Sequence, residues 1–306
     1  MKFLLRRIFR SLTILCCLAL AHSEANAETL NVVASFSILG DMAQRVGGER
    51  VQVHTLVGQN ADAHVYQPTP ADAKTIAQAR LVVINGFGFE GWIGRLTQSS
   101  GYRGKVLTAS DGVQSLKRNP EQAQHGHDGE PDPHAWQDLA NALRYVDNIA
   151  QALSAVDPAG ASVYQANATK YKQAISELDN EVRKTFSALP PERLKVVTTH
   201  DAFAYFGRAY GIRFIAPVGV NTDTEPSAAD LGRIIKQIRA EHIPAVFMES
   251  ISDPRLLERI RQESGARIGG TLYSDALSKP DGPASTYLDM MRHNAKTLAA
   301  ALGYTN

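Results

Sequence analysis

The sequence predicts an α/β protein of two lobes, each a small, mostly parallel sheet flanked by helices, bridged by one long rigid helix. Three observations lead to this fold class. Eight short apolar runs alternate with helical stretches, which is typical of parallel sheets covered by helices. The runs fall into two groups of four, and a long segment without Gly or Pro lies between the groups.

The first 27 residues have the pattern of a cleavable secretory signal. Basic residues precede an apolar run over 14–21, and Ala25-Asn26-Ala27 forms the cleavage motif. Both cysteines, Cys16 and Cys17, lie inside this segment, and neither follows the small residues that precede a lipidated cysteine. We therefore expect a soluble periplasmic protein that begins at Glu28, is not a lipoprotein and forms no disulfide.

Apolar runs predict four strands in a first lobe, residues 28–160, and four in a second lobe, residues 190–306. They are 30–34, 51–57, 80–84 and 105–108, followed by 195–199, 213–217, 245–248 and 267–272. Between the lobes, residues 161–189 place apolar side chains at spacings of three and four, up to Pro190-Pro191. A helix of that length runs about 40 Å and predicts a stiff connection.

Composition and charge argue against some classes of partner. The chain has 32 basic and 31 acidic residues, a net charge of +1, so nothing indicates nucleic acid or an anionic membrane surface. No segment after the signal is long and apolar enough to span a bilayer.

Four short peptides each place a metal-binding side chain close after an apolar stretch. They carry His64, His134, His200 and Asp275, in the contexts Asp62-Ala63-His64, Asp132-Pro133-His134, Thr199-His200-Asp201 and Tyr273-Ser274-Asp275. Open α/β sheets bind ligands at the carboxyl ends of their strands, so these side chains can meet in a cleft between the lobes. Three imidazoles and one carboxylate fill the tetrahedral shell that zinc prefers, which favours metal capture over catalysis.

Each of these residues also has a simpler interpretation. A histidine can be a buried, hydrogen-bonded side chain, and Asp275 can cap a helix. The combination of four such positions is what predicts a shared metal site. The histidines in the signal, in a strand or in charged helical surroundings are interpreted as structural or solvated: His22, His54, His242 and His293.

Two further features are candidates for accessory roles. Residues 117–133 lack hydrophobic periodicity and predict a mobile loop. Its His125 and His127 are candidates for metal capture, although a solvated acidic loop with two incidental histidines would have the same composition. Glu249 is a candidate to accept a hydrogen bond from a ligand imidazole, or else it pairs with an arginine such as Arg255.

The segment 86–91 has the G-x-G-x-x-G spacing of a dinucleotide-binding loop, with Asp111 about twenty residues further on. It follows the third apolar run instead of the first, however, and Phe87, Phe89 and Trp92 crowd it. We interpret its glycines as serving close packing.

The quoted peptides resemble those of the metal-ion solute-binding proteins of ABC importers, the periplasmic zinc and manganese receptors of the ZnuA and TroA type. The resemblance covers the chain after the signal and includes Pro68-Thr69-Pro70, Asn85-Gly86 and Glu225-Pro226-Ser227. It implies two α/β lobes bridged by one rigid helix. It also implies four metal ligands, which carry over to His64, His134, His200 and Asp275.

The resemblance implies a monomeric receptor, not an enzyme, that delivers Zn²⁺ to an ABC-type permease with a cytoplasmic ATPase. A periplasmic metallochaperone is a further candidate partner. Manganese receptors of this family often have Glu at the third ligand, so His200 favours zinc, and imidazole suits zinc better than manganese. Mn²⁺ or iron is a second candidate cargo, because some members with three histidines are linked to those metals.

Two less favoured functions would use the same four residues. One is a zinc hydrolase in which water replaces Asp275 at the metal and Glu249 acts as base, although the sequence contains no H-E-x-x-H motif to support it. The second is a stand-alone periplasmic metal store, which differs from an importer receptor only in its partner.

Overall fold

The computed structural model describes residues 29–117, 131–223 and 225–304. Within these ranges, eight strands form two separate four-stranded sheets. The strands are β1 Leu30–Phe36, β2 Val51–Val57, β3 Leu81–Ile84, β4 Lys105–Thr108, β5 Lys195–Val197, β6 Arg213–Ile215, β7 Ala245–Glu249 and β8 Arg267–Leu272. The predicted signal, residues 1–27 with Cys16 and Cys17, lies outside the described residues.

Both sheets are parallel and have the same strand order. It is β2-β1-β3-β4 in the first sheet and β6-β5-β7-β8 in the second. The inner strands are apolar because parallel sheets are covered on both faces, as at the fully buried Val82 and Val83 of β3. The predicted two-lobe α/β fold is confirmed. The shared strand direction brings the carboxyl ends of each sheet's strands to one edge.

Nine α-helices lie in the described ranges, and none of them is both long and apolar enough to cross a bilayer. They are α1 Ser37–Gly47, α2 Pro70–Ala77, α3 Ile93–Ser99, α4 Leu139–Val156, α5 Ala161–Ser187, α6 Ala204–Tyr210, α7 Ala228–Ala240, α8 Pro254–Ser264 and α9 Tyr287–Ala301. Helix α5 has 27 residues and is the predicted bridge. It ends two residues before the predicted limit because Leu189 precedes Pro190, and a proline ring disfavours helical backbone in the residue before it.

Strands β5 and β6 are each two residues shorter than the sequence predicts, ending at Val197 and Ile215 instead of at positions 199 and 217. At β5 the cause is a buried carboxylate. The backbone N–H groups of Thr199 and His200 donate to Glu249 Oε1, each at 2.9 Å, and so leave the regular strand pairing.

One continuous group of buried apolar side chains extends from the first sheet through α4 and α5 to the second sheet. Phe186 of α5 is 1% exposed, and its ring centroid lies 5.9 Å from that of Phe206 and 6.2 Å from that of Tyr210. A second cluster, which includes Ile234 and Leu257, joins α7 and α8 to the second sheet. The lobes are therefore held together by a shared core as well as by α5.

Candidate metal centre

The structure brings the four sequence-predicted ligand residues together at the carboxyl ends of the strands. His64 lies in the loop after β2, and His134 immediately precedes the 3₁₀ turn Ala135–Gln137. His200 lies three residues after β5, and Asp275 three residues after β8. One nitrogen or oxygen from each residue falls within 4.8 Å of all the others. Among the described residues this is the one group of three or more such side chains that could hold a metal ion.

Two of the histidines are positioned by an aspartate two residues earlier. Asp62 Oδ1 accepts a hydrogen bond from the backbone N–H of His64 at 2.9 Å, and Asp132 Oδ1 accepts one from that of His134 at 2.9 Å. Asp132 Oδ1 also lies 2.8 Å from His134 Nδ1. A carboxylate at this nitrogen keeps its proton in place and leaves Nε2 free to coordinate a metal.

The distances between the candidate ligand atoms fit a four-coordinate metal. Asp275 Oδ2 lies 3.2 Å from both His64 Nε2 and His200 Nε2, and Asp275 Oδ1 lies 3.6 Å from His134 Nε2. The Nε2 atoms of His64 and His134 are 3.3 Å apart. Tetrahedral bonds of about 2.0–2.1 Å would place such atoms roughly 3.3 Å from one another. The atoms are therefore spaced as ligands around one small ion.

The cluster is enclosed by protein. Side-chain exposure is 3% for His64, 1% for His200 and 0% for both His134 and Asp275. Neither carboxylate oxygen of Asp275 has a well-aligned hydrogen bond within the described part of the chain. A buried carboxylate without donors is costly to keep, so its role is better explained by a positively charged partner.

Burial and neighbouring charges oppose each other at these groups. Burial lowers the pKa of His64, and Asp275 only partly opposes it. At His134 burial is outweighed, chiefly by Asp275, and the pKa rises to about 9. At His200 burial is outweighed by Glu249 and Asp275, which raise the pKa well above its usual value. Burial would raise the pKa of Asp275, but the charges of His200 and His134 hold it well below its usual value.

Three buried carboxylates surround the three imidazoles: Asp132, Asp275 and Glu249. Protons on His134 and His200 neutralise part of this negative charge. A divalent cation bound to the Nε2 atoms can replace those protons and offset the negative charge in their place. The electrostatics of the cluster thus suit a cation.

Glu249 lies behind His200 and is 2% exposed. Its Oε2 lies 2.6 Å from His200 Nδ1, while Oε1 accepts hydrogen bonds from the Thr199 hydroxyl at 2.6 Å and from two backbone N–H groups. Arg255 pairs with Asp253 instead, so the alternative in which Glu249 pairs with that arginine is wrong. The placement suits the predicted support of a ligand imidazole, which stays a prediction.

The glycine-rich segment, residues 86–91, folds around the buried carboxylate of its own Glu90. Gly86 and Gly88 have φ of 95° and 78°, and Glu90 Oε1 accepts hydrogen bonds from the Asn85 N–H and the Ser35 hydroxyl, both at 2.6 Å. A side chain at Gly86 would meet Thr108 at 2.4 Å, so close packing requires this glycine. Because a buried acid occupies the loop where a pyrophosphate would bind, the dinucleotide interpretation is excluded for this segment.

Instead, Phe89 of this loop helps to enclose the metal cluster. The ring centroid of Phe89 lies 4.6 Å from that of His64 and 4.8 Å from that of Trp136. Trp136 in turn lies 5.3 Å from His134. These rings exclude water beside the imidazoles, which strengthens electrostatic interactions there.

The remaining described histidines lie away from the cluster. His54 on β2 and His242 are exposed, and His293 on α9 is half-buried with Nε2 3.0 Å from the Thr271 carbonyl oxygen. His22, His125 and His127 lie outside the described residues. The two ends of the segment that carries His125 and His127 lie side by side, because Lys117 forms a bridge with Pro131. The segment thus starts and ends close to His134.

Sequence reasoning missed the supporting roles of Asp62, Asp132 and Glu90. The first two had a local signal, since the spacing D-x-H occurs twice, at 62–64 and at 132–134. Glu90 had none, because its contact with Ser35, 55 residues away, forms only when β1 and β3 lie side by side.

Comparison with known proteins agrees with this geometry. The sequence profile of ZnuA, described as the periplasmic zinc-uptake complex component A, matches residues 32–301. The manganese-binding lipoprotein MntA of Halalkalibacterium halodurans is 33% identical over 280 residues, which cover 92% of this chain and 91% of MntA. The iron-binding protein YfeA of Yersinia pestis is 32% identical over 296 residues, covering 96% and 93%.

A similar solved structure is the periplasmic zinc-binding protein TroA of Treponema pallidum. It has a TM-score of 0.84 and 29% sequence identity, and the match covers 90% of this chain and 100% of the TroA chain. The three similar proteins are named for manganese, iron and zinc, so their similarity indicates metal binding without selecting one metal.

Proposed function

Because this chain belongs to the ZnuA family of metal-binding, substrate-binding proteins of ABC importers, we propose that it is a zinc receptor. It captures Zn²⁺ outside the cytoplasm and delivers it to a membrane permease that a cytoplasmic ATPase drives. The metal is cargo, bound by His64, His134, His200 and Asp275.

The spacing of the four ligand atoms carries this proposal. Donors that lie 3.2 to 3.6 Å apart suit four short bonds around one ion. Three imidazole nitrogens and one carboxylate also suit zinc better than manganese, which favours oxygen donors. Because all four positions are protein atoms, no coordination position is reserved for a reacting water.

Manganese or iron is a second candidate cargo, and one observation favours it. Both oxygens of Asp275 face imidazole nitrogens, Oδ2 towards His64 and His200 and Oδ1 towards His134. Such a carboxylate can bind through both oxygens and give five donors, which better suits these larger ions. The names of MntA and YfeA are consistent with that cargo.

The surroundings of Glu249 argue against a zinc hydrolase. A general base must reach the water that it activates. Here one oxygen of Glu249 accepts three hydrogen bonds, and the other lies 2.6 Å from His200 Nδ1, on the side away from the cluster. Family membership likewise supports a receptor that works with an importer over a stand-alone metal store.

Metal analysis of the protein purified from its own compartment tests the cargo, followed by competition between Zn²⁺ and Mn²⁺. We expect one zinc per chain and preference for zinc in competition. Metal should also raise the melting temperature, since an ion at 1,000 times its Kd stabilises the folded state by about 4 kcal/mol.

Substitution tests the ligands. His64→Ala and His200→Ala should largely abolish the stabilisation by metal, whereas His54→Ala, the same change at an exposed histidine of β2, should preserve it. Retention of wild-type affinity by either ligand variant would remove that residue from the set. Coordination of the metal by both oxygens of Asp275, together with a preference for Mn²⁺ in the competition, would favour manganese or iron as the cargo.

Processing and the accessory loop complete the proposal. We propose that the mature chain begins at Glu28 without a lipid, although some relatives, such as MntA, are named as lipoproteins. Mass spectrometry of the mature N-terminus tests this.

His125 and His127 are proposed to catch metal for His134, and their replacement by Ala should slow metal uptake without changing the equilibrium affinity.

A further inference from the structure

Asp275 follows a strand of the second sheet, yet its loop is fastened to the first lobe. The Ser274 carbonyl oxygen accepts hydrogen bonds from Trp136 Nε1 at 2.9 Å and from Gln137 Nε2 at 2.8 Å. Both donors are fully buried and closely follow His134 in the chain. The backbone beside Asp275 is therefore held by the segment that carries His134.

The same loop has two more attachments to the first lobe. The N–H of Leu277 donates to Ser37 Oγ at 2.9 Å, and its carbonyl oxygen accepts from the N–H of Asn60 at 2.9 Å. Asn60 lies in the loop that leads to His64. Asp275 is thus fastened to the segments of His64 and His134 as well as to β8, whereas His200 follows β5 of the second sheet.

His200 is linked to a neighbouring segment, residues 218–223. It forms an isolated parallel bridge with Val218, and the N–H of Asp201 donates to the Gly219 carbonyl oxygen at 3.2 Å. A displacement of this segment would therefore displace His200.

The loop before His64 is in side-chain contact with the segment 218–223, which is bridged to His200. Val65, next to His64, is 47% exposed, and Asn221, next to Thr222, is also exposed, so the junction of these two loops, which we call the mouth of the site, lies at the protein surface. With ligand side chains only 0–3% exposed, some of the protein around the ion must move before the ion can leave, and the mouth is where the segments that hold His64 and His200 meet.

A single carboxylate connects the two loops. Asp62 Oδ1 accepts a hydrogen bond from the N–H of His64 at 2.9 Å, and its Oδ2 accepts one from the Thr222 hydroxyl at 2.6 Å. Both Asp62 and Thr222 are only partly exposed. Opening the mouth must break the bond between Thr222 and Asp62.

We propose that the hydrogen bond from Thr222 to Asp62 is a latch across the mouth of the site and controls the rate at which the metal leaves. The inference rests on the proposed metal binding. Thr222 is a positioning residue that acts through Asp62 and touches none of the four ligands. Its hydroxyl holds the His64 and His200 segments together, so its loss should speed release without changing the ligand set.

Metal release from Thr222→Val, which removes the hydroxyl at nearly constant volume, tests the latch. Each variant is loaded with Zn²⁺, and its transfer to an excess of a chromogenic chelator is followed by stopped flow. We expect release about tenfold faster than wild type, the factor that corresponds to about 1.4 kcal/mol. Thr222→Ser should restore the wild-type rate to within about twofold. Thr185→Val, the same atomic change on α5 far from the cluster, should have no effect.

Loading with Co²⁺ separates failure of the latch from failure of the proposed function. Equal tetrahedral spectra in wild type and Thr222→Val show that the ligand set is intact. If the spectra are equal, an unchanged release rate in Thr222→Val overturns the latch. Fast release from Thr222→Ser also overturns it, because packing and not the hydroxyl would then be responsible. Absence of Zn²⁺ and Co²⁺ binding in wild type would overturn both proposals.

Discussion

Glu249→Gln should weaken metal binding by changing which nitrogen of His200 carries a proton. The side-chain amide has one orientation that fits, because Oε1 must still accept from the Thr199 hydroxyl and from two backbone N–H groups. The NH₂ group then faces His200 Nδ1, where Glu249 Oε2 now lies at 2.6 Å. Nδ1 must accept a hydrogen bond, so a neutral ring carries its proton on Nε2, the atom that should bind the metal.

The magnitude follows from the contacts that change. Three of the four short contacts of Glu249 survive, and one contact with a ligand imidazole reverses its polarity. Changes to such supporting groups cost about 10- to 100-fold in metal affinity, or about 1.4–2.8 kcal/mol. Loss of the negative charge also lowers the pKa of His200, which reduces competition from protons. The difference from wild type should therefore be larger at pH 8.5 than at pH 6.5.

Competition against a chelator of known zinc affinity measures the change at both pH values. Glu241→Gln is the matched control, because Glu241 is a surface acid at the end of α7 that pairs with Lys195 and Arg213. Wild-type affinity in Glu249→Gln at pH 8.5, with folding intact, would refute the argument from the protonated nitrogen. An equal loss in Glu241→Gln would trace the effect to overall charge.

Three further outcomes are expected. Zinc affinity, measured by competition, should rise with pH up to about 9. The pKa of His134 is raised to about 9 and that of His200 is also raised, so protons compete with the metal below that pH. An affinity that is flat from pH 6 to 9 would contradict this. Phe186→Ala should lower the free energy of unfolding by about 3–5 kcal/mol in urea titration, because it opens a cavity in the core shared by the lobes, and a loss below about 1 kcal/mol would contradict that packing. Solution scattering should show little change in radius of gyration on metal binding, since α5 and the shared core oppose a wide hinge motion; a change of several ångströms would contradict this.

Local patterns in the sequence predicted much of the fold. Apolar runs such as 80–84 and 245–248 match β3 and β7 to within one residue, because an inner strand of a parallel sheet is buried on both faces. The spacing of apolar residues in 161–189 predicted α5, because one face of that helix packs against the core. Where a distant side chain intervened, the prediction was wrong, as at β5, which ends early because Glu249 captures two of its following N–H groups.

The residues of the candidate site could also be predicted from sequence. Metal binding needs particular side chains, and in an α/β fold they are expected just after the ends of strands. Sequence placed Asp275 with the second lobe, since it follows β8 in the chain. The attachment of its loop to Trp136 and Gln137 joins residues 137 or more positions apart, and so does the bond between Thr222 and Asp62, 160 positions apart. Sequence alone thus determined which side chains are the candidates to bind a metal. Tertiary structure alone decided which of them are fastened to the same segments, because hydrogen bonds between distant segments form only after the chain has folded and leave no local pattern.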